Sequence, residues 1–96
     1  MTRADVLTLL KADLNMLNPD ETRTAQLSHL IEAADAFIRR EGVRLTYPYS
    51  VEDGQLVMMY ASYLYRKRAT AEPMPRMLRY ELNNRLFSSK GGESRC

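Results

Sequence analysis

The chain has 96 residues, of which 45% are hydrophobic and 27% charged, an ordinary globular balance that excludes a wholly disordered protein and allows one modest core. Net charge is +2, divided as −2 over residues 1–42 (five basic, seven acidic) and +4 over residues 43–96 (nine basic, five acidic). That total is too small for a dedicated nucleic-acid binder, though the asymmetry suits electrostatic pairing of like subunits or an acidic partner.

Thr2 with Asp5 forms a capping-box pattern, and Val6, Leu7, Leu10 and Leu14 recur at helical spacing, which predicts a first helix over residues 3–12. Leu14, Met16 and Leu17 in the connector are expected to tuck back onto the core. Asn18-Pro19-Asp20-Glu21 reads as a start signal with Asn18 as cap and Pro19 in the first turn. Leu27, Leu30, Ile31, Ala34, Phe37 and Ile38 then mark the buried face of a second helix over 19–41. Arg39 and Arg40 in its last turn suit the helix dipole, and Gly42 supplies a left-handed end.

Val43 to Tyr49 is β-prone but too short to build a sheet, and is expected to be an extended loop. Ser50-Val51-Glu52-Asp53 is a further capping box, opening a third helix over 51–69. Leu56 to Tyr65 is apolar nearly all round, which implies a helix surrounded by protein, with part of its surface meeting another subunit. Pro73 and Pro75 break the chain. Leu78, Leu82 and Leu86, with Met77 beside them, give a fourth helix over 75–87, and Arg76, Arg79, Asn83 and Asn84 take its other side. Ser88 to Cys96 reads as a flexible polar C-terminal tail. The expected fold is therefore all-α: a compact four-helix bundle in a domain spanning 1–87, followed by the tail at 88–96.

Little catalytic chemistry is on offer. His29 is the sole histidine and reads as a surface residue flanking the apolar stripe. The carboxylate pairs Asp20/Glu21 and Glu52/Asp53 fall in first turns, where capping is the simpler role than acid–base work. The four glycines, Gly42, Gly54, Gly91 and Gly92, form no phosphate loop. The lone Cys96 permits no internal disulfide or cysteine-based zinc site. No cofactor, no metal and no enzymatic activity are expected. No apolar run reaches the roughly 18 residues of a membrane span, and the first residues lack the apolar stretch of a signal peptide, so cytoplasmic folding is the default. Tyr60, Tyr63 and Tyr65 read as core filling in preference to a base-stacking stripe. Arg66-Lys67-Arg68 either completes the dipole of the third helix or forms a basic patch that Arg76, Arg79 and Arg85 extend.

The run Leu56-Val57-Met58-Met59-Tyr60-Ala61-Ser62-Tyr63-Leu64-Tyr65-Arg66-Lys67-Arg68, followed by Met74-Pro75-Arg76-Met77-Leu78-Arg79-Tyr80-Glu81-Leu82-Asn83-Asn84-Arg85-Leu86-Phe87, resembles the head–tail connector family of tailed bacteriophages, the adaptor or head-completion proteins. In the front half, a short N-terminal helix, an acidic connector and Leu30-Ile31-Glu32-Ala33-Ala34 with Phe37 agree with it, so the likeness spans about residues 2–88. It implies a non-catalytic structural protein of a phage or prophage, assembled as a ring of about twelve copies under the portal. Its partners would be itself, the portal protein, a tail-ward stopper or tail-completion protein, and DNA passing through without sequence-specific recognition; no membrane is involved. Its place would be the virion head–tail junction, reached from the host bacterial cytoplasm. On this resemblance the portal-facing segment falls on residues 76–96, and the assembly surface is expected to use Arg66, Lys67, Arg68, Arg76, Arg79, Asn83, Asn84, Arg85 and Phe87. Many relatives carry a longer strand-like insertion where Val43 to Tyr49 is short. The alternatives are a small helical DNA-binding regulator using the basic fourth helix, and an interaction subunit that buries its third helix in a different protein.

Overall fold

A computed structural model describes the backbone of residues 1–94 and the side chains of residues 1–87 apart from Ala69. It contains four helices, α1 (Arg3–Asp13), α2 (Glu21–Arg40), α3 (Val51–Thr70) and α4 (Arg76–Ser94), with no strand among the described residues. The all-α architecture expected from periodicity is what forms.

The first three helices are locally well specified. Thr2 and Asp5 close a full capping box on α1. Its far end is a Schellman motif: Asn15 turns left-handed at φ 58, its N–H reaches the Ala12 carbonyl, and the Met16 N–H reaches Lys11. α2 ends the same way, with Gly42 at φ 101, its N–H on Arg39 and the Val43 N–H on Ile38. The start of α2 differs from expectation. Asp20, not Asn18, is the cap: its carboxylate accepts from the Arg23 N–H at 2.7 Å, leaving Asn18 and Pro19 outside the helix. An anionic cap answers the dipole better than a neutral amide.

The core is built around α3, which packs against α1, α2 and α4. Leu56, Val57, Tyr60 and Ala61 meet Val6 and Leu10 of α1 and Leu27, Leu30, Ile31, Ala34 and Ile38 of α2 in one buried cluster. The other helices cover much of α3, and Met58, Met59, Tyr63, Leu64 and Tyr65 are half-buried against the same cluster. Two further positions depart from the periodic pattern. Leu17, expected to tuck inward, is 92% exposed, and Phe37 lies at the surface, stacked on Tyr60 at a centroid distance of 6.1 Å under the Arg40 guanidinium.

The 43–50 segment is the extended loop anticipated. Val43, Leu45 and Tyr49 point into the core while Arg44 lies at the surface. Met1 and Tyr49 exchange backbone hydrogen bonds, the Tyr49 N–H reaching the Met1 carbonyl at 2.7 Å. Met1 also rests on Gly54, where a Cβ would lie 2.5 Å from its sulfur. The backbone of α4 runs on to Ser94, through most of the segment read as a polar tail. Residues 95–96 of that segment lie outside the described residues.

Candidate assembly surface

α4 has two faces of different character. Leu78 and Leu82 are fully buried and Leu86 half-buried, on the face turned to α3 and to Gly42. Met77, Tyr80 and Phe87 are 69%, 64% and 79% exposed. With Asn84 they fall at i, i+3, i+7 and i+10, a single line along the outside of the helix. Arg76 and Asn83 border that line and are exposed as well. Met77 was expected beside the leucines; it points out because its position is about 100° from Leu78 around the helix.

The arginines grouped by sequence do not act as one patch. Arg85 reaches inward to Asp53, which is only 5% exposed. Arg79 donates to Glu41 at 2.8 Å. Arg66 lies 3.4 Å from the Asp13 carboxylate, which also accepts from the buried Ser62 hydroxyl at 2.7 Å. Lys67 sits over the Tyr63 ring. Arg68 borders an open surface hollow with Arg23, Gln26 and Tyr65, and Arg23 donates to the Tyr65 hydroxyl at 2.6 Å. Of the nine expected surface residues, Arg76, Asn83, Asn84 and Phe87 thus lie together on the outer face of α4. Arg66, Lys67 and Arg68 lie at the end of α3, and Arg79 and Arg85 tie α4 to the body.

Sequence reasoning missed two buried carboxylates. Asp35, 6% exposed, accepts from the Tyr49 hydroxyl at 2.5 Å and from Arg39 Nε at 2.6 Å. Asp53 accepts from the backbone N–H and hydroxyl of Thr46 on one oxygen and from Arg85 on the other. Burial pushes both carboxyls up. For Asp35 the bonds from Arg39 and Tyr49 and the charges of Arg39 and Arg3 outweigh it, and for Asp53 those from Thr46 and Arg85 do so. Both are therefore held below the ordinary carboxylate value, as anions. Burial and the neighbouring Asp35 anion push the Tyr49 phenol up. Capping, the role expected of Asp53 from its place in the first turn of α3, is only part of what it does. The Ser50 hydroxyl does accept from its N–H at 3.1 Å, but its side chain serves the loop and α4.

These carboxylates are saturated by donors of the same chain, and no buried side-chain polar atom among the described residues lacks a hydrogen-bond partner. His29 is exposed on α2. Among the described residues no three His, Cys, Asp or Glu side chains converge as a metal set, and no helix is long and apolar enough to cross a membrane. What the arrangement offers is a contact surface: an apolar line bordered by Arg76 and amides on α4, and a cationic end on α3. Comparison with family models, with curated proteins and with solved structures finds no match.

Proposed function

We propose that this chain is a head–tail connector of a tailed bacteriophage or prophage, assembling as a ring beneath the portal and joining the DNA-filled head to the tail. The observation that carries this reading is the outward line of Met77, Tyr80 and Phe87 on α4. Exposed aromatic and methionine side chains bordered by arginine are the composition of protein–protein contacts. They lie in the segment that the family resemblance assigns to the portal. The opposite net charges of the two halves of the chain, −2 and +4, are compatible with head-to-tail pairing of like subunits. The exposed cations Lys67, Arg68 and Arg76 are suited to sequence-independent contact with passing DNA.

The triple variant Met77→Ser, Tyr80→Ser, Phe87→Ser tests it. These side chains lie outside the core, so the variant is expected to keep the helical circular dichroism of the parent. It is expected to lose at least tenfold in affinity for the portal of the same genome and to form no rings by negative-stain microscopy. Portal binding equal to the parent's would reject the surface assignment. Absence of any portal binding by the parent, with duplex binding that weakens steeply with salt, would replace the connector reading with the regulator reading.

A further inference from the structure

α4 rests on a seat supplied by the ends of the 43–50 loop. Glu41 before the loop receives Arg79, Asp53 after it receives Arg85, and Gly42 admits Leu86 so closely that a Cβ there would lie 3.1 Å from the leucine methyl. The fit is specific to this helix, yet the helix itself is weakly specified. It follows Pro75, whose side chain has no acceptor to cap an N-terminus, and its first turn has no acidic residue and carries Arg76 and Arg79 against the dipole. The connector that returns it to the seat is short and stiff. Ala71 adopts a left-handed φ of 56, a conformation that disfavours alanine and not glycine. Glu72 and Met74 each precede a proline, which pushes them toward extended backbone and away from a turn.

From this geometry we infer that α4 exchanges between copies, leaving its own seat and docking on the same seat of a second chain. Opening frees Ala71 from its left-handed conformation and lets the proline-stiffened connector run straight. It also uncovers Leu78, Leu82 and the Asp53 carboxylate, which favours only a partner able to restore the same contacts. A second copy of α4 is that partner, since it carries the leucines and the two arginines at the matching spacing. A strained, short hinge is the feature that tips such an exchange toward the paired form. The inference stands whether or not the chain is a connector.

Mixed-chain crosslinking tests it. In a Cys96→Ser background, one chain carries Glu41→Cys and another Arg79→Cys. Both closed variants lack the Glu41–Arg79 ion pair and a mixed exchanged dimer regains it at one of its two seats, so the crosslink reports only which chains pair and the association constant is read on the Cys96→Ser chain without the other two changes. The two variant chains are unfolded together, refolded at high concentration and treated with a short bismaleimide. The expected result is a crosslink between residues 41 and 79 of different chains, well above that of either variant alone, in a dimer seen by light scattering. Placed in the Cys96→Ser chain, Ala71→Gly should lower the dimer association constant by about tenfold or more, because it removes the hinge penalty of the closed form. A monomer at every concentration would overturn the inference. So would a dimer without the 41–79 crosslink, which would be a surface contact, or an association constant that Ala71→Gly leaves unchanged. Portal binding is read separately, so failure here leaves the connector proposal standing, and the reverse.

Discussion

The α1–α3 body and α4 are stabilised in different ways. Each helix of the body has a side-chain cap at its start, and α1 and α2 close on left-handed residues whose amides return to the last turn. Their leucines and isoleucines interlock around α3. At its start α4 follows Pro75, which has no side-chain acceptor, and its first turn holds no acidic residue. Two fully buried leucines and two ion pairs, with Glu41 and Asp53, hold it in place. Local signals and tertiary packing agree in the body, and such agreement favours a single cooperative unit. In α4 tertiary contacts alone must order the helix, as expected of the less stable part of a fold.

The widest separation should come from a pair of leucines that are both fully buried. Leu27→Ala in the body is expected to cost about 2–5 kcal/mol of global stability in urea unfolding. Leu82→Ala in α4 removes the same atoms, yet it should lower hydrogen-exchange protection mainly in α4 and shift the urea midpoint less. Equal midpoint shifts would make α4 an integral part of the body.

Next in size is Asp35→Ala, which leaves the buried Tyr49 hydroxyl without its acceptor and is expected to cost about 1–3 kcal/mol by thermal or urea unfolding. The pH dependence follows from the same group and from Asp53. Both folded carboxyls are held below their ordinary value, so the unfolded state takes up protons first on acidification. Their stabilisation is complete at neutral pH, begins to fall near the unfolded carboxylate value of about 4, and is lost as pH drops through the lower folded values. The melting temperature should decline over that range, and Asp35→Asn should flatten the decline. An unchanged slope would remove Asp35 from the acid response.

Smaller effects probe the start of α2. Asp20→Ala should cost about 1 kcal/mol and Asn18→Ala almost nothing, since only Asp20 caps the helix. The reverse order would restore the sequence-based boundary. The smallest expected change is at Leu17, which touches little of the core: Leu17→Ser should alter stability by less than about 0.5 kcal/mol.

Sequence by itself determined the helices and most of the core. The 3.6-residue recurrence of Leu27, Ile31, Ala34 and Ile38, the Thr2 and Ser50 caps and the left-handed Gly42 are properties of a few adjacent residues, so they can be read without the fold. The outer line of α4 was also legible in principle, because Met77, Tyr80 and Phe87 share a spacing offset from that of the leucines. Only tertiary structure could decide the rest. Asp35 and Asp53 look like ordinary helix carboxylates until the 43–50 loop brings Tyr49 and Thr46 against them. Arg79 and Arg85 look like surface cations until α4 lies across Glu41 and Asp53. Leu17 looks like a core residue until the turn at Asn15 carries it outward. For the carboxylates and the arginines the outcome depends on charge and burial created by residues distant in the chain, and for Leu17 on the direction in which a turn carries the backbone; hydrophobic period carries no information about either.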